Sequence, residues 1–138
     1  MKRISPNAVV LGSLLVLALD AVVSVGLVAL RGGEIFVEGR SVEQISEALH
    51  AVMLSKSFLL ASMVLGTLTT VIGGYVAARI GKQFPYFNGL VIGLLGMLIG
   101  LTFWSEYPLW FNLLALVSVV PSALLGSHIA VRRGVAHA

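Results

Sequence analysis

The sequence contains no cysteine, and only 11% of its residues are charged. The absence of cysteine excludes a disulfide framework and any metal site built on thiolates. The scarcity of charge separates the chain from soluble domains, in which about 25% of residues are charged. No basic tract is long enough to indicate nucleic-acid binding, so no nucleic acid is expected as a partner.

Hydrophobic residues, by contrast, make up 58% of the 138 residues, and the mean hydropathy is +1.01. A soluble chain of this length could not bury so much apolar side chain, because a small domain leaves much of its surface exposed to water. The composition therefore predicts an integral membrane protein whose main partner is the lipid bilayer.

Four stretches are apolar enough to span a bilayer, which requires about 20 residues of helix. They predict a single all-α domain over residues 1–138, with transmembrane helices at 7–30, 57–80, 85–103 and 109–131. The first stretch is longer than the roughly 7–15-residue core of a signal peptide. The connections after the second and the third span are long enough only for tight turns. Helices two and three, and helices three and four, should therefore form antiparallel hairpins.

The segment between the first two spans, residues 31–56, is long enough to hold structure of its own. Gly32 and Gly33 should end the first helix, and Ser41 and Gln44 have the spacing of a capping box. The apolar residues that follow recur at helical spacing: Val42, Ile45, Leu49, Val52 and Met53. We expect an amphipathic interfacial helix that continues, with or without a bend, into the second span. A disordered segment is the alternative.

The distribution of basic residues indicates the orientation. One side of the predicted bundle carries Lys2, Arg3, Arg79, Lys82, Arg132 and Arg133. On the other side Arg31, Arg40 and Lys56 are diluted by acidic residues, namely Glu34, Glu38, Glu43, Glu47 and Glu106. The positive-inside rule then places both termini in the cytoplasm. Trp104, Tyr107 and Trp110 occupy the positions of an outer aromatic belt, which agrees with this orientation.

Small residues recur along the second and third spans. Helices gain little from apolar burial in lipid, so close backbone packing must hold them together. The second span carries a small-residue row with a spacing of four: Ser62, Gly66, Thr70, Gly74 and Ala78. The third carries two GxxxG patterns, formed by Gly89, Gly93, Gly96 and Gly100. We expect a close contact between these two helices or between two copies of the chain. Glycines lining a substrate path are the alternative.

Asp20 is an acidic residue within a predicted transmembrane span, where contact with lipid is unfavourable. It follows Asn7 by thirteen residues, which at 1.5 Å per residue is roughly 20 Å into the membrane. A carboxyl group there costs about 2.5–3.5 kcal/mol on insertion scales, so it should face protein or water and have partners. The predicted intramembrane polar site joins it to residues expected on its face or at its depth: Ser24, Thr67, Ser118 and Pro121. Pro121 is included because a proline leaves a carbonyl of the preceding turn free to accept a bond.

No signature of catalysis accompanies Asp20. The sequence has no nucleophile elbow, phosphate loop, paired-carboxylate site or HExxH motif, and its three histidines lie at different depths. We therefore expect no enzyme, no cofactor and no metal. The first hypothesis is a non-enzymatic subunit or assembly partner of a membrane complex, bound to another membrane protein. The alternative is a proton-coupled transporter of a small molecule or ion, working as a homodimer through Asp20.

One stretch of the sequence resembles a known group of proteins. Gly73–Arg79 reads GGYVAAR, and Pro85 is followed by GLVIGLL at Gly89–Leu95. This pattern resembles one found in small uncharacterised bacterial four-helix inner-membrane proteins, many of which have a histidine near the position of Asn88. The resemblance implies a four-helix bacterial inner-membrane protein and brings no established activity with it.

Overall fold

The structure is a computed structural model that describes residues 5–134. Over that range it contains no strand and six α-helices, with a short 3₁₀ turn at Trp104–Glu106. The helices are α1 (Pro6–Leu30), α2 (Gly32–Ile35), α3 (Val42–Met53), α4 (Lys56–Ile80), α5 (Pro85–Thr102) and α6 (Leu109–Arg132). Of these, α1, α4, α5 and α6 are long and apolar enough to cross a membrane. The prediction of an all-α membrane protein with four spans is confirmed, and the chain is a multi-pass membrane protein.

The bundle has two distinct ends. The end that carries the first residues of α1, the 81–84 turn and the last residues of α6 is called the terminal end below. The opposite end, which carries α2, α3 and the 103–108 turn, is called the loop end. Lys2 and Arg3, on which the predicted orientation partly rests, lie outside the described residues.

α4 lies at the centre of the bundle and packs on α1, α5 and α6, most extensively on α6. A methyl group at Gly74 would overlap the carbonyl oxygen of Ala123 on α6, and one at Gly126 would overlap that of Val71 on α4. The closest contact therefore joins α4 to α6. α4 also packs on α5, as the expected contact between helices two and three requires, but its closest approach, at Gly74, is to the fourth span.

The glycines of α5 also face α6. A methyl group at Gly89 would overlap the hydroxyl of Ser127, and one at Gly93 would lie 2.9 Å from the Cα atom of Val120. Ser127 is fully buried, and its Oγ lies 3.3 Å from the carbonyl oxygen of Gly74 and 3.2 Å from that of Ala123. At this level the backbones of α4, α5 and α6 are therefore in close contact.

This close packing stops near the middle of the bundle. Thr70, Gly74 and Ala78 of the small-residue row are buried, whereas a methyl group at Gly66 or Gly100 would meet no atom within 4 Å. At Gly96 the nearest atom is the Cγ2 of Val119, at 3.0 Å. The spans are thus tightly packed towards the terminal end and separate towards the loop end. Where they are closest, all four meet in a core of Val16, Ala77, Ile92 and Ala123.

Each short turn is held by an asparagine, which is the fourth residue of the helix that follows the turn. Asn88 is buried, and its Nδ2 donates to the carbonyl oxygens of Gly81 and Phe84, both at 3.0 Å, while its Oδ1 accepts from the backbone N–H of Ser5 at 3.1 Å. Asn112 does the same in the 103–108 turn, donating to the carbonyl oxygens of Trp104 at 2.8 Å and Tyr107 at 2.9 Å. The bonds from Asn112 satisfy two carbonyls at the end of a span, and those from Asn88 give a second donor to carbonyls that also accept a backbone N–H.

The segment between α1 and α4 is folded, with the predicted capping box at its centre. Gln44 donates its backbone N–H to Ser41 Oγ at 3.3 Å, and Ser41 returns its own N–H to Gln44 Oε1 at 3.0 Å. The inward face of α3 joins a second apolar cluster: Ile35, Val52 and Phe58, with Leu27, Val28, Ile45, Leu49 and Met53 around them. Val42, which the helical pattern placed on that face, is instead 86% exposed.

α3 does not run continuously into the second span. It ends at Met53, and Ser55 caps α4, accepting the backbone N–H of Phe58 on its Oγ at 3.4 Å. Arg40 holds the other side of the segment, because its guanidinium donates to the carbonyl oxygens of Glu34 at 2.7 Å and Ile35 at 3.1 Å. The region therefore consists of two short helices folded back on the loop end.

Candidate functional site

Asp20 lies near the middle of α1 and is half-buried. Its carboxyl oxygen Oδ1 accepts a hydrogen bond from the hydroxyl of Thr69 on α4, which is itself buried. The same hydroxyl lies 2.9 Å from the carbonyl oxygen of Gly66. Because a hydroxyl has one proton to donate, Thr69 can donate to Asp20 or to Gly66 at any moment, but not to both.

The register of α1 against α4 brings these two side chains together. A methyl group at Gly12 would lie 3.1 Å from the Cβ of Ala77, and one at Gly73 would overlap the side chain of Val16. The pairs Gly12–Ala77, Val16–Gly73 and Asp20–Thr69 thus advance four residues along each antiparallel helix. The small residues of α4 let α1 approach closely, and the next step along the interface places Thr69 opposite Asp20.

Asp20 also lines a cavity of about 190 Å³ between α1, α4 and α6. Its remaining polar side chains are hydroxyls, from Ser62, Thr67, Thr70 and Ser118, and the rest of the wall is apolar or glycine. Thr70 and Ser118 also bond to their own helices, Thr70 to the carbonyl oxygen of Gly66 at 2.8 Å and Ser118 to that of Ala115 at 3.0 Å. The site is therefore a single carboxyl group at the wall of a cavity lined partly by hydroxyls.

The five residues of the predicted polar site do not all meet. Asp20, Thr67 and Ser118 line this cavity. Ser24 and Pro121 are exposed on the outer surface of the bundle and do not line it. Depth counted along a helix places residues at the same level but leaves rotation about the helix axis open, and both residues are rotated out of the cavity.

Thr69 is the partner that the sequence reasoning missed. The depth estimated from residue numbers favoured Thr67, which lies two residues before Thr69 and on a different face of α4. A signal was present in the spacing of Thr69, Gly73 and Ala77, a second set of small or hydroxyl side chains at four-residue intervals on α4. Pairing that set with Gly12, Val16 and Asp20 would have found the contact.

Two further cavities lie between Asp20 and the loop end. One, of about 180 Å³, is enclosed mainly by α5 and α6 and shares Phe111, Ala115 and Val119 with the Asp20 cavity. The other, of about 430 Å³, lies between the end of α3 and the 103–108 turn, and shares Phe103 and Tyr107 with the second. Cavities with common walls therefore follow one another from the loop end to Asp20.

The cavity found at the terminal end is separate from the Asp20 cavity. A cavity of about 350 Å³ lies there at the 81–84 turn, between Ser5 and Asn88, but it has no wall residue in common with the Asp20 cavity. The buried core around Ala77, Ile92 and Ala123 lies between them. His128, near this end, bonds through Nδ1 to the hydroxyl of Tyr86 at 2.9 Å.

Within residues 5–134, no three histidine or acidic side chains come together in a way that could hold a metal ion. Asp20 is the single acidic residue of its cavity.

No family model, curated protein or solved structure matches this chain. The geometry around Asp20 is therefore the basis on which a function is inferred.

Proposed function

We propose that this small integral membrane protein is a proton-linked transporter in which Asp20 takes up and releases the proton. The observation that carries the proposal is the position of the carboxyl group, half-buried in a membrane-spanning helix and open to a cavity lined by hydroxyls. A carboxyl group that served helix packing alone would need no cavity beside it. Ionisable groups within membrane spans commonly mark proton or substrate pathways.

The hydrogen bonds around Asp20 suit a group that changes its protonation state. With Asp20 ionised, Thr69 donates its proton to the carboxylate. With Asp20 protonated, the acid O–H donates to the Thr69 oxygen, and Thr69 turns its proton to the carbonyl oxygen of Gly66. In both states Asp20 and Thr69 keep a hydrogen bond between them, and the Thr69 proton has an acceptor, so a change of protonation does not cost the pair its bond.

The proposal includes an orientation and a copy number. The loop end faces outward and the termini lie in the cytoplasm of a bacterial cell, as the charge distribution and the resemblance indicate. The functional unit is a homodimer. Proton access is then from the outside, through the cavities that follow one another between the loop end and Asp20.

Reconstitution into liposomes tests the proposal. Proton flux is driven by a potassium gradient with valinomycin and followed with a trapped pH-sensitive dye, and a pH-jump infrared difference spectrum reports the carboxyl group. We expect Asp20→Asn to abolish both the flux and the carboxyl band, because the carboxamide fills the same space but does not titrate. Ser24→Ala, one turn away and outside the cavity, is the matched control and should leave both unchanged. Normal proton flux in Asp20→Asn, or a carboxyl band that is absent from the wild type or unchanged in Asp20→Asn, contradicts the proposal.

A subunit of a larger membrane complex is the second candidate, favoured by Ser24. This hydroxyl lies on the exposed surface of α1, one turn beyond Asp20, where a helix of another protein could bond to it. A photo-crosslinking residue at position 24 in native membranes tests this function. A defined heterologous partner supports it, whereas isolation of the chain as a stable monomer with no crosslinked partner contradicts it.

A further inference from the structure

We infer that the substrate of this site is a small organic cation with an apolar body, its charge held at Asp20 and its apolar part in the neighbouring aromatic cavity. The inference rests on the proposed function and names the substrate class for the same site. Its first support is the composition of the second cavity, whose wall contains Phe103, Trp104, Tyr107 and Phe111. Aromatic side chains offer a large apolar contact surface, which suits the apolar body of such a ligand.

The aromatic cavity and the Asp20 cavity lie along one helix. Phe111, Ala115 and Val119 follow one another at four-residue intervals on α6, and each lines both cavities. A ligand that occupied both cavities would lie along this face of α6, with the aromatic wall at one end and the carboxyl group at the other. The two cavities are similar in size, about 180 and 190 Å³, so the ligand must be small.

The charge of the walls selects a cation over an anion. Among the described residues that line the two cavities, Asp20 is the one carboxyl group, and no lysine, arginine or histidine is present. An anionic ligand would meet no positive partner and would lie near a carboxyl group. A neutral apolar ligand would fit the aromatic part but would gain nothing from Asp20 and the hydroxyls around it.

The loop end has the charge to attract such a ligand. Acidic residues predominate in its connecting segments, and Glu106 lines the outermost of the three cavities together with His50. Arg31 is paired with Glu34 at 2.9 Å, and Arg40 is engaged with backbone carbonyls of α2. A mainly acidic entrance raises the local concentration of cations.

The chain contains two tryptophans, and the structure separates them in a way that provides a direct assay. Trp104 lines the aromatic cavity, whereas Trp110 lies in a different surface depression beside Lys56. In a Trp110→Phe background the remaining fluorescence reports on the cavity. The protein in lipid nanodiscs is titrated with benzyltrimethylammonium, and separately with neopentylbenzene, the uncharged carbon analogue of the same shape.

We expect a saturable change in Trp104 emission with benzyltrimethylammonium and a linear, unsaturated response to neopentylbenzene. Adding Asp20→Asn should weaken binding of the cation about tenfold or more, since it removes the charged partner. A second variant does not depend on Asp20: Gly100→Leu adds a side chain to the cavity wall at a position where a Cβ atom meets no atom within 4 Å, and should abolish the response. Gly26→Leu is its matched control, equally unobstructed but outside the cavities.

Equal responses to the two probes overturn the inference, as does an affinity for the cation that Asp20→Asn leaves unchanged or the absence of a saturable response. Each of these results would leave the proposed function standing if proton flux still depended on Asp20. Conversely, normal proton flux in Asp20→Asn refutes proton-linked transport whatever the fluorescence titration shows. The fluorescence titration can therefore refute the substrate class, and the flux assay the proposed function, independently of each other.

Discussion

The difference in packing between the two ends of the bundle gives a sharp prediction about two glycines of the same helix. Gly66 and Gly74 belong to one small-residue row on α4, two turns apart. A methyl group at Gly74 would meet the backbone of Ala123, whose carbonyl carbon would lie 2.8 Å away and its Cα 2.9 Å away. Backbone atoms of a packed helix cannot move aside independently, so the two helices would have to separate.

From this geometry we expect Gly74→Ala to lower the free energy of unfolding by about 1–3 kcal/mol, the usual cost of overpacking a filled interior. Gly66→Ala should be neutral or stabilise the protein by up to about 1 kcal/mol, because alanine is the better helix former and nothing opposes its methyl group. The assay is unfolding in mixed detergent micelles, followed by circular dichroism. Equal effects of the two substitutions, or a larger loss at Gly66, would refute the account of a tight terminal end and an open loop end.

Three further substitutions test individual contacts. Thr69→Val should reduce proton flux about tenfold, because a hydrogen bond to a charged group is worth about 1.5–3 kcal/mol; Thr69→Ser keeps the hydroxyl and should restore flux, so normal flux in Thr69→Val would contradict the role of Thr69. Asn88→Leu should lower the free energy of unfolding by about 1–3 kcal/mol, since it leaves the N–H of Ser5 without its partner and removes one of the two donors at each of two turn carbonyls; thermal unfolding measures this, and no change would show that the bonds are replaceable. Ser41→Ala removes the capping box of α3 and should cost about 0.5–2 kcal/mol there, visible as faster amide hydrogen exchange within α3; unchanged exchange would contradict the importance of the cap.

The sequence was sufficient for the number and limits of the spans. Apolar length alone defines them, because a span must satisfy its backbone internally and therefore be helical. The capping box at Ser41 and Gln44 was equally readable, since it depends on residues three positions apart. Such local features need no knowledge of what lies opposite the helix.

The partners of each helix were not predictable in the same way. The spans are apolar on every side, so hydrophobic periodicity does not indicate which face is turned inward. The small-residue row of α4 showed a close contact without showing that its closest approach would be to α6. For the same reason Ser24 and Pro121 were assigned to a site that they do not line, and Thr69 was overlooked.

The central claim is that Asp20 faces a cavity open to water from the loop end, and the absence of cysteine makes this directly measurable. Ser118 lines the cavity, while its neighbour Val117 is 71% exposed on the lipid-facing surface at nearly the same depth. Single variants Ser118→Cys and Val117→Cys are treated in sealed membranes with a charged, membrane-impermeant thiol reagent added on the loop side. The account predicts modification at position 118 and none at 117, because only a hydrated thiol ionises and reacts. No modification at 118, or equal modification at both positions, would contradict it.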